Sequence, residues 1–192
     1  MMRKLFQLFC YLFGNTFGRL LYSSRFLTGK CFEGIGGIGW RWLWRCWFMQ
    51  KILGVNRKAP WPVSFRAFVG NPANVEFHPD DLGNFMSPGI YFQGMGGKIK
   101  IDRNTFIGPN VGIINANHAL ADPSIHENGR DVVIGESCWV GMNAVILPGV
   151  TLGPHTTVAA GAVVTRSFPD GYLLIGGVPA KVIKKLNPPG RG

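Results

Sequence analysis

The stretch "INANHALADPSIHENGRDVV", residues 114–133, gathers side chains that can move protons. His118 and His126 are imidazoles, and an imidazole takes up and releases a proton near neutral pH. Asp122 and Glu127 are carboxylates on the same stretch, either of which could orient a nearby ring. Asn115 and Asn117 just ahead of His118 could bind a polar ligand or serve turn chemistry. An alcohol attacks poorly while protonated, so a positioned histidine base suits transfer of a group to a hydroxyl. The stretch is polar and long, which predicts a loop, and loops on a rigid scaffold often carry function.

What lies on either side must be that scaffold. From Ile134 an aliphatic residue returns at every sixth place: Ile134, Val140, Ile146, Leu152, Val158 and Val164. Six is neither the helical period of 3.6 nor the strand period of 2. Antiparallel hairpins would alternate at period 2 with variable loops. A six-residue unit reads as a short strand plus a corner, with the aliphatic lead inward and small residues at the turn. Stacked units bury a continuous apolar column that one unit could not. Met95, Ile101, Ile107 and Ile113 keep the spacing upstream, and Val63, Val69 and Val75 do so more weakly.

At "IGESCWVGMNAVILPGVTLGPHTTVAAGAVVTRSFPDGYLLIGGVPAKVIKKL" and the upstream "IYFQGMGGKIKIDRNTFIGPNVGIINANH", the sequence resembles the hexapeptide-repeat acyltransferases. Within that family it looks most similar to O-acetyltransferases of bacterial surface-polysaccharide loci, and more distantly to maltose and galactoside acetyltransferases. The resemblance runs from about Pro62 to Leu186. It implies an all-β fold, a left-handed parallel β-helix, assembled as a homotrimer with sites between subunits and closed by a C-terminal cap with a short helix. It implies acetyl-CoA as co-substrate and direct transfer to a glycan or sugar hydroxyl, with His118 as general base and no metal. The oxyanion would be held by a backbone N–H near Gly141 and Met142. The matched positions for CoA are Gly141, Met142, Ala160, Thr165 and Arg166, with Lys181 and Lys184 in the cap offering charge to phosphates. Met142 departs from the Ser or Gly that relatives often carry there. The upstream strip that lines the site in the family puts Tyr91, Gln93, Asn115 and Asn117 forward as acceptor contacts, with Trp139 packing on the donor or filling the coil edge. A γ-type carbonic anhydrase shares the fold, but His78, His118, His126 and His155 include no H-x4-H pair. A non-catalytic β-helix scaffold, or an enzyme for a small soluble sugar or antibiotic, are the other readings.

The chain has 192 residues and a formal charge of +10, unevenly placed. Residues 1–60 hold ten Lys or Arg and one acid, Glu33, whereas residues 61–192 are near balance. Two parts follow: a basic, helical N-terminal segment over 1–60, and a repeat domain over 61–192. The run from Leu5 to Phe13 is too short to span a bilayer, which takes about 20 apolar residues. No A-x-A-like cleavage site follows it, against a removed signal peptide. Trp40, Trp44 and Trp47 share a helical face with Leu43, and Arg41 and Arg45 lie beside them. Trp with Arg suits a bilayer interface. The alternative is packing on the repeat domain or a neighbouring subunit. So dense an apolar content does not suit a nucleic-acid arm. Gly34, Gly36, Gly37 and Gly39 predict a flexible joint. The leader points to a lipid-linked acceptor and to the cytoplasmic side, peripheral on the inner face of a bacterial membrane. Cys10, Cys31, Cys46 and Cys138 form no framework and read as free thiols of a reducing compartment.

Overall fold

The structure is a computed structural model and describes residues 1–188. The last four residues of the 61–192 span lie outside the described residues.

Short strands fall on three sides of one stack, and the chain visits the sides in rotation. The first sheet runs β1 (Phe68–Val69), β3 (Tyr91–Phe92), β6 (Gly112–Ile113), β9 (Val145–Ile146) and β12 (Val163–Val164). The second runs β2 (Val75–Phe77), β4 (Ile99–Ile101), β7 (Val132–Ile134) and β10 (Thr151–Leu152). The third runs β5 (Phe106–Ile107), β8 (Trp139–Val140), β11 (Thr157–Val158), β13 (Leu173–Gly176) and β14 (Lys181–Lys185). All pairings are parallel except that of β13 with β14.

Register explains the period of six. Val140 stands directly beside Val158, eighteen residues on, so one coil is three six-residue units. The leads form three buried columns: Val69, Phe92, Ile113, Ile146 and Val164; Phe77, Ile101, Ile134 and Leu152; and Ile107, Val140, Val158 and Ile175. Met95 is a correction. It is 47% exposed, and Phe92 holds the inward place in its coil. Spacing alone pointed to Met95 because the bend at 95–97 happens to put an apolar residue six before Ile101. In the first coil a 3-10 segment, Pro79–Phe85, takes the place of a third-sheet strand.

The C-terminal cap differs from the expected helix. Lys181–Lys185 is the antiparallel strand β14, paired with β13. The last strand of a stack leaves a row of unpaired backbone groups, and a returning strand satisfies them.

The N-terminal segment is helical and packs onto the first coils. α1 (Met2–Phe13) widens into a π-helical stretch, Gly14–Gly18, and ends in α2 (Arg19–Leu21). α3 (Ile38–Trp47) returns across it. Gly14 permits that crossing, since a Cβ there would run into the Trp40 ring. Trp40 and Leu43 are buried, while Trp44 lies edge-on to Phe9 and Phe13 at 4.7 and 5.0 Å. The tryptophan stripe thus packs within the protein. The glycine joint is a turn closed by the Trp40 indole N–H, which donates to the Gly34 carbonyl at 3.0 Å. One hydrophobic cluster runs from Cys10 through Trp61 to Ala180. Gln50, 1% exposed, ties the segments together: its amide N–H groups donate to the carbonyls of Asn56, Ala59 and Trp61, and its oxygen accepts from Val63 N and Tyr22 Oη.

Candidate active site

The step from Ile113 to Ile146 in the first column is 33 residues, fifteen more than the eighteen of a regular coil. The excess leaves the stack at the corner between first and second sheets. Its neck is clamped. Gln93 Oε1 accepts from Asn115 N at 2.9 Å and Ala116 N at 2.8 Å, and Arg130 N donates to Asn115 O at 2.7 Å. Asn115 is fully buried, its Oδ1 accepting from Met95 N and its Nδ2 donating to Gly97 O. Gly129 is required beside Met95, where a Cβ would collide with the carbonyl oxygen. Asn115 and the Gln93 oxygen therefore hold the loop. The sequence put both forward as acceptor contacts, and what the structure adds is their bonding to the main chain at the neck.

Above the neck the loop folds on itself. Glu127 N donates to Asn117 O at 2.9 Å, Ala119 N to Ile125 O at 2.8 Å, and His118 bridges His126. The two imidazoles lie 4.2 Å apart between centroids, tilted by 44°. His118 is exposed, with Nδ1 2.6 Å from the Pro123 carbonyl oxygen. A carbonyl only accepts, so Nδ1 is the donor here, and in the neutral ring Nε2 is the nitrogen with the lone pair. Among the described residues no carboxylate is the partner of this ring. Asp122 instead accepts from Ser124 N at 3.0 Å and Ser124 Oγ at 2.7 Å, and those bonds hold its carboxyl below the usual range. Asp122 thereby shapes the turn that presents the Pro123 carbonyl. Sequence reasoning could not find Pro123, because a main-chain acceptor has no signature of its own.

The other predicted residues fall on different sides of the stack. Tyr91 is exposed on the outer face of the first sheet, stacked on Phe68 at 5.4 Å, in register with Gly112 beside the loop neck. Asn117 is exposed on the loop. Gly141, Met142 and Ala160 occupy the corner between third and first sheets. The Gly141 N–H donates to Val158 O at 2.8 Å as a rung of the coil, which removes it as an oxyanion donor. Among the described residues the Met142 N–H makes no hydrogen bond. Met142 and Ala160 are exposed. Trp139 is exposed next to that corner, directly alongside the exposed Phe106, which the sequence reading missed. Lys181 starts β14 opposite Gly176, which abuts Ala159. Lys184 lies further along β14, opposite Leu174. Thr165 and Arg166 stand on the first–second corner, that of the His118 loop, with the Arg166 guanidinium 5.3 Å over the Phe168 ring. The CoA set is thus divided, and the first sheet separates His118 from Met142 within one chain.

No group of three or more His, Cys, Asp or Glu side chains suited to a metal comes together among the described residues. A cleft of about 720 Å³ lies on the second sheet between Arg25, Trp61 and Arg103, and contains none of the predicted site residues. An ion pair of Arg103 with Asp80 at 2.9 Å stands at its edge, so size alone does not mark the chemistry.

Residues 131–166 match the family described as bacterial transferase hexapeptide (six repeats). The chain carries that family's repeat. Over 91 residues it is 42% identical to a putative acetyltransferase of Schizosaccharomyces pombe, covering 46% of this chain and 44% of that protein. Over 101 residues it is 38% identical to the putative lipopolysaccharide biosynthesis O-acetyl transferase WbbJ of Escherichia coli, covering 46% and 51%. The chain thus spans about half the length of the curated relatives it matches. A point mutant of AntD, an N-acyltransferase from Bacillus cereus solved with dTDP and coenzyme A, superposes with a TM-score of 0.51. It is 17% identical over 65% of this chain and 80% of that chain, a likeness of fold alone.

Proposed function

We propose that this chain transfers acetyl from acetyl-CoA to a sugar hydroxyl, on a lipid-linked or surface-polysaccharide precursor. The observation that carries the reading is the His118 ring. With Nδ1–H given to the Pro123 carbonyl, Nε2 is free to take a proton at the tip of a clamped loop. In the proposed reaction Nε2 removes the proton of the acceptor hydroxyl as its oxygen attacks the thioester carbonyl. The tetrahedral oxyanion takes a hydrogen bond from the Met142 N–H. The C–S bond breaks, and the imidazolium returns the proton to the CoA sulfur. No acyl-enzyme forms.

CoA suits the third–first corner, where Gly141, Ala160 and Gly161 leave little side chain in the way of a slim pantetheine and Trp139 with Phe106 offers a flat apolar wall. A relative named as a putative lipopolysaccharide biosynthesis O-acetyl transferase supports acetyl as the group moved and a glycan oxygen as the acceptor. Since His118 and Met142 stand on different corners of one chain, the complete site needs a neighbour's corner. That favours a homotrimer of left-handed β-helices. The basic leader favours a peripheral position on the inner membrane face, where a lipid-linked acceptor would be met.

The test is mass spectrometry of a panel of lipid-linked and free glycans after incubation with acetyl-CoA and the full-length protein. Gain of one acetyl ester by a glycan, with stoichiometric CoA release, is the expected result. CoA release without any esterified glycan would overturn the acceptor class. No release with any acceptor would favour a scaffold.

A further inference from the structure

α1 is apolar on two opposite faces. Its inner face, Cys10 with Gly14 beyond the helix end, packs under Trp40. Its outer face, formed by Leu5, Leu8, Phe9 and Leu12, remains 39–58% exposed. A helix packed on a protein ordinarily turns a polar face to water. Here the face is continued by Phe17 and Leu20, which are 61% and 83% exposed. Phe9, Phe13 and Phe17 follow one another at 6.4 and 5.8 Å, and Phe13 reaches Trp47 at 5.6 Å. A groove of about 360 Å³ opens there between Phe13, Phe17, Leu21, Trp47 and Ile52. The Lys51 stem lines it, while the Lys51 ammonium donates to the Ala59 and Arg57 carbonyls.

Charge selects the occupant. Arg3 and Lys4 stand at one end of the stripe and Arg19 at the other. Among the described residues none of the three has a carboxylate within ion-pair reach. A second copy laid on this face would oppose like charges, because Glu33 is the one acid in residues 1–60. Anionic headgroups would neutralise them. No helix among the described residues is long and apolar enough to cross a membrane.

We infer that the outer face of α1 and its continuation through Leu20, rather than the tryptophan stripe, enters the headgroup layer of an anionic bilayer. α1 lies flat, and the groove beside Phe17 receives an acyl chain. The inference rests on the reading that residues 1–60 meet a membrane.

Vesicle flotation of the full-length protein tests it, using phosphatidylglycerol with phosphatidylethanolamine, and phosphatidylcholine alone. Wild type is expected to float with the anionic vesicles, less so in high salt, and weakly with phosphatidylcholine. The double variant Leu5→Glu/Leu12→Glu is expected to lose about a hundredfold in vesicle affinity, from two leucines no longer buried in lipid. Both side chains already meet water, so circular dichroism and the mass in solution should be unchanged. A variant that floats like wild type overturns the inference. So does a wild type that ignores anionic vesicles, or a variant whose oligomer mass changes instead of its flotation. Flotation involves no turnover, and acetylation of a soluble sugar involves no vesicle, so this inference and the acetyltransferase reading fail separately.

Discussion

Replacing Gln50 by leucine should cost stability out of proportion to its size. Leucine keeps most of the volume and removes five hydrogen bonds. Three of the buried groups left behind have no other partner: the Val63 N–H, the Trp61 carbonyl and the Tyr22 hydroxyl, the last one also held well above its ordinary pKa by burial, whereas the buried Ala59 carbonyl keeps the Lys51 ammonium. An orphaned buried polar group costs about 1–3 kcal/mol. Relaxation and water entry would recover part of this, and about 3–5 kcal/mol remains as the expected loss. Domains of this kind have about 5–15 kcal/mol in all. Tyr22→Phe is the control, because the Gln50 oxygen then still accepts from Val63 N at 3.1 Å. Its expected cost is about 1 kcal/mol. Urea unfolding followed by tryptophan fluorescence reads both. A Gln50→Leu midpoint within error of Tyr22→Phe would refute the idea that Gln50 ties the helical segment to the stack.

Further outcomes follow from the same contacts. Asp122→Asn retains an oxygen for Ser124 and should keep near-normal kcat, whereas Asp122→Ala should lower kcat with little change in KM. Equal losses would return the Asp122 charge to the mechanism. The Cys46 and Cys138 thiols, pushed up to about 11 by burial, should stay protonated at pH 8 and resist a thiol reagent until denaturant is added. Rapid labelling of native protein would show those sites open. Asp80 accepts from Lys30 N and Arg103, and its carboxyl is held below its ordinary 3.8 mainly by the first of these bonds. A lowered folded pKa gives stability that is present above 3.8 and lost as pH falls through the folded value. Asp80→Asn should therefore flatten the acid limb of a stability–pH curve. Asp81, raised by burial, works in the opposite direction, so the acid limb of an Asp81→Asn variant should be steeper.

The stack was legible because its cause is local. Each lead from Ile134 to Val164 points inward for the same reason, and six repetitions leave little freedom of register. Where the repeat is broken, spacing misled: Phe92 is the inward residue, and the glycine-rich bend after it placed Met95 in false phase. The loop was legible as an interruption of the repeat, and His118 as an imidazole carried on it. The roles of Asn115, Gln93 and Pro123 were not, because each depends on which main-chain group lies within reach after folding. The Trp40 stripe illustrates the same limit, since helical spacing marks an apolar face without saying what covers it. The cap depended on an open strand edge far away in sequence. "AKVIKKL" can be helix or strand, and the unpaired edge of β13 decides it.

The central claim is that His118 Nε2 takes the acceptor proton. Single-turnover CoA release by wild type and His118→Ala, at saturating acetyl-CoA and with the best glycan acceptor, tests it most directly. The expected result is a loss of about 10²–10⁴-fold in the variant with CoA affinity unchanged. Equal rates would contradict it and leave the loop as a binding element alone.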